Sequence, residues 1–403
     1  MATGSIRCWS CRFRDHLINL SCGAAEFLDS LVYLKTLHLR QFRNYHDQQV
    51  EFAAPKTILV GRNAQGKSNL LEAVELLSTL RSHRTVRDQD LIRDEQPVGQ
   101  ITAVLERDAG PLDLALTLRR NGRRSVALNS ESVRRHFDFL GALNAVQFSS
   151  LDLELVRGAP GERRTWLDSV LVQLEPVYAA ILQQYHHILR QRNALLKQRH
   201  SDATADPEQL SLWNTQLATV GSQVIRRRAR LLERLAPLAQ IWHQSISGST
   251  EHLEVRYTPN VKLEQGQPET VATAFLGQIA QKAIAEQHQG TTLVGPHRDE
   301  VEFTINQTPA RQYGSQGQQR TLVLAIKLAE LQLIEEVVGE PPLLLLDDVL
   351  AELDLSRQNQ LLDTIQDRFQ TLITTTHLGA FDAQWLRCAQ ILSVEAGRIW
   401  IQA

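Results

Sequence analysis

The hydrophobic pattern of the first third of the chain predicts strands. From Val32 onward apolar and polar residues alternate, and residues 57–60 form a short apolar run typical of a buried strand. Asn121 and Gly122 separate two alternating runs, which predicts a tight two-residue hairpin. Residues 70–77 instead place apolar side chains on one face at helical spacing, so we expect a helix after the short buried strand.

In the middle of the chain the pattern changes, and apolar residues recur every three or four positions. Two long helices are predicted, at about 162–199 and 207–238, joined by a polar stretch that breaks the pattern. Strand character returns at 291–305, and a helix is expected to begin near Arg320.

Two apolar runs near the end of the chain, residues 343–346 and 371–377, predict buried strands. Strand-rich halves therefore flank a helical middle. This arrangement predicts an α/β fold in which one domain with mixed sheets is interrupted by a helical arm. The predicted boundaries are 32–160 for the first half, 161–290 for the arm and 291–403 for the second half.

Residues 1–31 lack this patterning, and Met1 is the only methionine of the chain. We interpret them as a disordered tail or as a mis-annotated start ahead of a true start at Val32. Three of the four cysteines lie in this stretch, and Cys8 and Cys11 form a C-x-x-C that has no second pair at zinc spacing. The cysteines therefore give no sign of an oxidising compartment, which fits a cytoplasmic protein.

Composition narrows the classes of function. The 403 residues are 43% hydrophobic, which is enough for a sizeable core. A net charge of −2 argues against a constitutively basic nucleic-acid coat protein, although not against a local basic surface. No apolar run reaches the roughly 18 to 20 residues of a membrane span, and we find no secretory signal.

A phosphate-loop pattern, G-x-x-x-x-G-K-[ST], occurs at residues 61–68. Its glycines allow backbone N–H groups to surround phosphate oxygens, Lys67 would reach the β- and γ-phosphates, and Ser68 would give its hydroxyl to Mg²⁺. Because a buried strand precedes it and an amphipathic helix follows, we favour a nucleotide site over a plain turn into a helix. The predicted nucleotide-binding residues are Gly61, Arg62, Asn63, Ala64, Gln65, Gly66, Lys67 and Ser68.

Acidic residues end the apolar run 343–346. Asp347 is placed to hold Mg²⁺, and Asp348 to act as a base or to orient water; the alternative is an acidic loop at a strand end. His377 ends another strand and is predicted to contact the γ-phosphate or the attacking water, although a capping or core histidine is the alternative. Since no N-K-x-D motif selects guanine, the expected nucleotide is ATP.

The stretch GSQGQQR begins at Gly314 and precedes the helix predicted near Arg320. Ser315, Gly317 and Gln318 offer a hydroxyl, backbone amides and a helix N-terminus, which together form an anion site without side-chain charge. A second anion site is surplus unless it serves the ATP of a second copy. We therefore expect a two-fold homodimer in which ATP lies between the phosphate loop of one copy and this stretch of the other. The alternative is a glycine-rich helix start without a ligand.

Together, the phosphate loop, the S-x-G-Q stretch, LLLLDD and the strand-end histidine resemble an ABC-type ATPase head. Further stretches, among them YLKTLHLRQFRNY, RSHRT, GPHRDE and LLLLDDVLAELD, resemble the RecF family of SMC-like heads from Val32 to the C-terminus. In this resemblance residues 351–354, AELD, would be the D-loop that touches the partner copy. Gln147 would link Mg²⁺ to the arm, or else be a polar residue at a strand end. Arg43 and Asn44 would contact nucleotide phosphate, or else form a surface turn.

Membership of the RecF family would imply ATP-dependent dimerisation, slow ATP hydrolysis that acts as a switch, and binding of duplex or gapped DNA. It would also imply a RecR-like mediator as partner and a role in loading the recombinase during repair. The ATPase subunit of an ABC transporter is the alternative, but such a subunit lacks this helical interruption. A third interpretation is a structural protein that binds ATP without hydrolysing it, which the intact Lys67, Ser68, Asp347 and Asp348 disfavour.

Three arginine clusters are candidates for DNA contact, although charged runs are more often solvated faces. No aromatic-rich platform for single strands is visible, so duplex backbone contact is the better prediction. The clusters are Arg157, Arg163 and Arg164; Arg226, Arg227, Arg228 and Arg230; and Arg81, Arg84, Arg87 and Arg93.

Overall fold

The computed structural model describes residues 32–107, 110–201, 207–248, 251–262, 270–352, 355–365, 368–381 and 383–401. The predicted N-terminal tail, with Cys8 and Cys11, lies outside the described residues.

Strands and helices are numbered here along the described chain. The strands are β1 (Tyr33–Phe42), β2 (Tyr45–Glu51), β3 (Lys56–Val60), β4 (Val98–Glu106), β5 (Leu112–Arg119), β6 (Arg124–Leu128), β7 (Glu131–Val133), β8 (Ala145–Ser149), β9 (Leu253–Thr258), β10 (Glu300–Ile305), β11 (Thr308–Pro309), β12 (Leu343–Asp347), β13 (Thr371–Thr375), β14 (Ala389–Glu395) and β15 (Arg398–Ile401). The α-helices are α1 (Lys67–Thr79), α2 (Glu154–Arg157), α3 (Pro160–Leu174), α4 (Val177–Ser201), α5 (Pro207–Ser247), α6 (Val271–Gln289), α7 (Ala310–Tyr313), α8 (Gln316–Val338), α9 (Leu355–Ile365) and α10 (Ala383–Arg387).

A mostly parallel sheet positions the candidate site. Its strand order is β15-β14-β3-β13-β12-β8, and within the described residues only β15 runs antiparallel to its neighbour. The register pairs Val60 with Thr375, Thr374 with Asp347, and Asp347 with Ser149. The carboxyl ends of four strands therefore meet along one edge, where parallel sheets bind ligands.

A second six-stranded sheet, with the order β2-β1-β4-β5-β6-β7, is antiparallel throughout. Helix α1 contacts β5 of this sheet and β8, β12 and β13 of the parallel sheet. It buries Leu70, Leu71, Val74 and Leu77 completely, because its apolar positions are spaced to face both sheets. The helix that follows the phosphate loop is thus fixed between the two sheets.

The helical middle differs from the prediction in three places. The first predicted long helix is divided into two helices, α3 and α4, at Glu175 and Pro176. Proline ends the first helix there because it lacks the N–H of an interior helical residue. Helix α5 continues through Pro237 to Ser247, beyond the predicted end, and helix α6 was not predicted.

Strand β9, also unpredicted, pairs with β10 in a small sheet ordered β11-β10-β9. The predicted strand at 291–305 is confirmed only for β10, since Pro296–Arg298 forms a 3-10 turn. The division at residues 160 and 290 into head and arm stays a prediction.

The GPHRDE segment, residues 295–300, forms the junction of these elements. Gly295 has φ of 133°, and a Cβ atom there would lie 2.7 Å from the Tyr185 hydroxyl and the Phe275 ring, so glycine is required. Asp299 is fully buried and accepts hydrogen bonds from Arg228 Nη1 (3.1 Å), the Tyr257 hydroxyl and the Asn260 backbone N–H (2.8 Å).

The arginines that hold this junction come from the helices of the middle region. Arg228 of α5 also donates to both oxygens of Asp168 on α3, at 3.0 Å each. Arg163 of α3 donates to both oxygens of Glu300, at 2.6 and 2.8 Å. The junction therefore ties α3 and α5 to the start of β10 through ion pairs, and β9 through the hydrogen bond from Tyr257 to Asp299.

Candidate nucleotide-binding site

The phosphate loop is closed by its own lysine. Lys67 is 4% exposed, and its Nζ donates to the carbonyl oxygens of Gly61 (2.7 Å) and Arg62 (3.2 Å). A Cβ atom on Gly61 would lie 2.3 Å from the Val394 carbonyl oxygen, and Gly66 has φ of 119°. Both positions therefore require glycine, and the loop follows the path that the motif predicts.

The turn after β1 supports the loop from outside. Asn44 Nδ2 donates to the Gln65 carbonyl oxygen and Asn69 Nδ2 donates to Asn44 Oδ1, both at 2.8 Å. Arg43 donates through Nε and Nη2 to the two oxygens of the buried Glu72, at 2.9 and 2.6 Å. Both side chains therefore brace the loop and α1, and their contact with nucleotide phosphate stays a prediction.

The phosphate loop and the acidic end of β12 meet at the carboxylate of Asp347. Ser68 Oγ and Thr374 Oγ1 each donate to Asp347 Oδ1 at 2.7 Å. Gln147, on neighbouring β8, has its Nε2 3.4 Å from His83 Nε2, and its buried Oε1 has no hydrogen-bond partner. A hydroxyl, a carboxylate and an unsatisfied amide oxygen form the kind of oxygen set that Mg²⁺ prefers, so these residues fit that ion.

Asp348 directly follows β12 and adopts a left-handed backbone with φ of 54°. Its backbone N–H donates to Thr374 Oγ1 at 2.9 Å. Burial raises the pKa of the Asp348 carboxyl, and Asp347 adds to the rise while Lys67 opposes it. A carboxylate with a raised pKa accepts a proton more readily, which suits the predicted role of a base.

His377 lies two residues beyond β13, which ends at Thr375 rather than at the histidine. Its side chain is exposed, and within the described residues its ring makes no hydrogen bond. Thr375 Oγ1 donates to the His377 carbonyl oxygen at 2.8 Å, which fixes the backbone. The ring therefore stands at the same sheet edge as the phosphate loop, and its contact with nucleotide stays a prediction.

The S-x-G-Q stretch is the N-terminus of α8. The predicted helix start near Arg320 is wrong, because Ser315 caps a helix that begins at Gln316. Gln318 N–H donates to Ser315 Oγ (3.2 Å), and Ser315 N–H donates to Gln318 Oε1 (2.8 Å), which is a complete capping box. The Ser315 hydroxyl hydrogen and the Gly317 N–H are then available to an anion.

The two halves of the predicted site do not meet within one copy of the described chain. No hydrogen bond or ion pair among the described residues joins 315–318 to the phosphate loop, and Ser315 is exposed. Of the predicted D-loop, Ala351 and Glu352 end a 3-10 turn, while Leu353 and Asp354 lie outside the described residues. The D-loop contact therefore stays a prediction.

Glu251 is a residue of the S-x-G-Q site that the sequence did not indicate. Gln318 Nε2 donates to Glu251 Oε1 at 2.8 Å. Because a backbone N–H only donates and a carboxylate only accepts, the Gln318 amide has a single orientation between Ser315 and Glu251. The two residues are 67 positions apart, and no local pattern connects them.

Two arginines of the predicted DNA-contact clusters are buried and cannot contact DNA. Arg163 and Arg228 are each 3% exposed and lie in the ion pairs of the GPHRDE junction, so their assignment to a DNA surface is wrong. Arg227 pairs with Glu175 at 3.0 Å, and it remains partly exposed. Six other members of the clusters have exposed side chains: Arg81, Arg84, Arg87, Arg157, Arg226 and Arg230.

Across the described ranges, no helix combines the length and the apolar character needed to cross a membrane.

Comparisons with known proteins agree with this geometry. The family model for the RecF/RecN/SMC N-terminal domain matches residues 33–398. A relative from Nostoc punctiforme, named DNA replication and repair protein RecF, is 73% identical over 371 residues, which cover 91% of this chain and 99% of the relative.

Solved structures extend the comparison to three dimensions. A structure of the recombination mediator protein RecF with ATPγS, described as part of the RecFOR pathway, is 30% identical, covers 94% of this chain and 100% of its own, and superposes with a TM-score of 0.86. The Smc head domain from Pyrococcus furiosus is 15% identical, covers 92% of this chain and 96% of its own, and gives a TM-score of 0.50, which shows the fold alone. The predicted SMC-like ATPase-head fold is confirmed.

Proposed function

The chain belongs to the RecF/RecN/SMC N-terminal domain family, and we propose that it acts in DNA replication and repair as an ATP-switched dimer that binds DNA. This role includes ATP binding, because the solved RecF structures similar to this chain are described with ATP or ATPγS. The observation that carries the proposal is the 2.7 Å hydrogen bond from Ser68 to Asp347, which joins the phosphate loop to the acidic strand end. The transporter alternative has no support in the relatives, which are named for replication and repair.

Mg²⁺ belongs to the proposal. Ser68 and Asp347 would hold the ion, and the buried Oε1 of Gln147 on the neighbouring strand β8, which has no hydrogen-bond partner, is the candidate for a third ligand. When bound, Mg²⁺ neutralises charge on the phosphates. The chain's own contribution is to place Lys67 across the loop and to keep Asp348, with its raised pKa, ready to take a proton from water.

In the proposed dimer, the nucleotide-binding site of one copy is completed by residues of the other copy. The Ser315 hydroxyl and the Gly317 N–H would bind the γ-phosphate held by Lys67 of the partner copy. Hydrolysis would remove the group that both copies share and so release them. The exposed position of Ser315 and its separation from the phosphate loop in one copy support this arrangement.

Changing Ser315 to arginine is expected to prevent dimer formation without preventing ATP binding. The larger side chain would break the capping box and fill the place of the partner's phosphate, while Lys67 and its loop are untouched. Light scattering should give a dimer mass for the unchanged protein only with ATP, and a monomer mass for Ser315→Arg that still binds ATP. Ser132→Arg, at an exposed serine of β7, adds the same charge elsewhere and should dimerise normally. If the mass of the unchanged protein is independent of ATP, the proposed dimer is wrong and the ATP site stands.

Asp348 is expected to be needed for hydrolysis but not for binding. Loss of a positioned base typically lowers a rate by about 10²- to 10⁴-fold, so Asp348→Asn should fall in that range while its ATP affinity stays similar. Phosphate release, with and without duplex DNA, is the measurement, and DNA should stimulate the unchanged protein. Asp113→Asn, at an exposed aspartate of β5, serves as the control. Equal rates for Asp348→Asn and the unchanged protein would exclude Asp348 as the base.

DNA binding is proposed to use the exposed arginines that the junction leaves on the surface. If the dimer neutralises about 6 to 10 phosphates, affinity for duplex DNA should fall about 10³- to 10⁵-fold between 50 and 200 mM salt. Replacing Arg226 and Arg230 by alanine removes four arginines from the dimer, so binding to all sequences should weaken equally and the slope of log K against log salt should fall by about 4. Arg256→Ala, which removes a surface arginine paired with Glu254, is the control. A flat salt dependence would argue against backbone contact.

The proposal also includes gapped DNA as a substrate, a RecR-like mediator as partner and a cytoplasmic location. These three parts of the proposal are supported by the 73%-identical relative and by the pathway named for the solved RecF structure.

A further inference from the structure

A buried histidine lies behind the S-x-G-Q stretch. His243, near the C-terminal end of α5, is fully buried, and among the described residues neither of its ring nitrogens has a hydrogen-bond partner. Burying a polar atom without a partner costs free energy, so a native structure that keeps two such atoms in one ring calls for an explanation.

Glu251 connects this histidine to the S-x-G-Q stretch. His243 Nε2 lies 3.6 Å from Glu251 Oε2, while Glu251 Oε1 accepts the hydrogen bond from Gln318 Nε2 at 2.8 Å. The two oxygens of one carboxylate thus face two different groups. Because Gln318 also holds Ser315 in the capping box, these side chains form a continuous series from the protein interior to the exposed N-terminus of α8.

The charges around His243 keep its ring neutral in a single copy. Burial lowers the pKa of His243, Glu251 opposes that shift through its charge, and His252 adds to it. The ring is therefore unprotonated near pH 7. The residues one turn away on α5 are uncharged: Ala239, Gln240, Ile246 and Ser247.

The charged groups of the elements that pack against α5 are paired with other partners. Lys327 of α8 pairs with Asp152 and Glu330, Glu254 pairs with Arg256 on β9, Asp168 of α3 pairs with Arg228, and Glu286 of α6 pairs with Arg192 of α4. Among the described residues, Glu251 supplies the one carboxylate in ion-pair contact with His243. A proton on the ring would therefore be held by Glu251.

We propose that Glu251 and His243 are positioning residues of the S-x-G-Q site, and that His243 takes up a proton from solvent when this site receives a phosphate of the partner copy's ATP. This inference rests on the proposed dimer. The phosphate brings negative charge to a site that already contains the Glu251 carboxylate, and like charges close together are unfavourable. A protonated His243 offsets that charge and donates to Glu251 Oε2, while Oε1 keeps its hydrogen bond to Gln318.

This proton makes the dimer depend on pH, with a sign that can be stated. The negative charge of the phosphate raises the pKa of His243, so the dimer binds more protons than two separate copies. Dimer formation is therefore favoured as pH falls. The gain is complete below the pKa of the single copy and is lost as pH rises through the pKa of the dimer.

The first test measures the dissociation constant of the dimer with saturating ATPγS at about pH 5.5 and about pH 8. The unchanged protein should dimerise about tenfold more tightly or better at the lower pH, since a rise of one pKa unit in one group changes an equilibrium constant tenfold. His243→Gln keeps a hydrogen-bond donor for Glu251 but takes up no proton, so it should lose this difference. His252→Gln removes an exposed histidine next to Glu251 and should retain the difference, as the matched control.

Glu251→Gln separates the charge of Glu251 from its hydrogen bond. The new amide oxygen still accepts from Gln318 Nε2, but His243 loses its counter-charge, so the difference between the two pH values should disappear. The Glu251 side chain is 21% exposed, so this variant decides the question even if His243→Gln does not fold. Melting temperatures of the nucleotide-free proteins at both pH values show whether any change belongs to the dimer or to the fold.

Three results would overturn the inference while leaving the proposed dimer in place. They are a dimer of the unchanged protein that is equally tight or weaker at the lower pH, a full pH difference retained by His243→Gln or Glu251→Gln, and a lost difference that is matched by the melting temperatures of the nucleotide-free proteins. If the unchanged protein forms no ATP-dependent dimer at either pH, the proposed function fails first, and the inference fails with it.

Discussion

Replacing Lys67 by alanine is expected to abolish ATP binding at concentrations that saturate the unchanged protein. The Lys67 ammonium now bonds two carbonyl oxygens of its own loop, and no other lysine lies within residues 61–68. A charge-assisted hydrogen bond contributes about 1.5–3 kcal/mol, so two of them to phosphate correspond to a loss of roughly 10²- to 10⁴-fold in affinity. Calorimetric titration with ATP measures this directly.

Lys35→Ala is the matched control for Lys67→Ala. Lys35 is a lysine of β1 whose side chain is 55% exposed and forms a surface ion pair with Glu106 at 2.6 Å. Exposed pairs of this kind contribute little to stability because water screens them, so ATP affinity and stability should hardly change. Should Lys67→Ala bind ATP within tenfold of the unchanged protein, the assignment of the loop would be contradicted. Lys67→Ala should also fail to dimerise with ATP, since it has no nucleotide to share.

Most of the candidate site was predictable because its signals are local. The spacing of Gly61, Gly66 and Lys67 determines a loop by itself, and the acids after an apolar run determine the strand end that faces it. What the sequence could not give is the register that places Asp347 beside Ser68, 279 residues away, although the rule that ligands bind at the carboxyl ends of strands anticipated their meeting.

The residue that sequence reasoning missed at the S-x-G-Q site is brought in by a tertiary contact alone. Glu251 orients Gln318 from the segment after α5. It belongs to no local pattern, and an isolated Glu is most often a solvated side chain. The same limit explains the unpredicted strand β9, which is a strand because it pairs with β10 more than forty residues later.

The prediction of DNA contact from runs of arginines was wrong for Arg228, and helical geometry gives the physical reason. Arg226, Arg227 and Arg228 are adjacent in sequence, yet a helix turns successive residues by about 100°. Arg226 is exposed, Arg227 is partly buried against Glu175, and Arg228 is buried between Asp168 and Asp299. Helical geometry thus assigns one member of a basic run to the solvent and another to the GPHRDE junction.

Replacing Arg228 by methionine is expected to lower the free energy of unfolding by about 3–5 kcal/mol, because two buried carboxylates lose their counter-charge. Asp168 and Asp299 are 6% and 0% exposed, and Arg228 bonds both. Burial raises the pKa of Asp299 although Arg228 opposes the rise, and without Arg228 the pKa must rise further. When folding raises the pKa of a carboxyl, the folded protein becomes less stable as pH rises towards that pKa. The loss of unfolding free energy in Arg228→Met should therefore be largest near pH 7 and smaller near pH 5.

Urea unfolding at both pH values measures the difference, and Arg227→Met is the matched control on the same helix. Arg227 pairs with Glu175 at 25% and 34% side-chain exposure, so its loss should cost about 1 kcal/mol or less at either pH. Adding Asp168→Asn and Asp299→Asn to Arg228→Met removes the stranded charges and should recover part of the loss. Equal stability of the two single variants would mean that the buried charges are compensated by something other than Arg228, and the junction would not depend on it. A large deficit for Arg228→Met alone would instead show that the GPHRDE segment is maintained by the ion pairs that join the helical middle to β10.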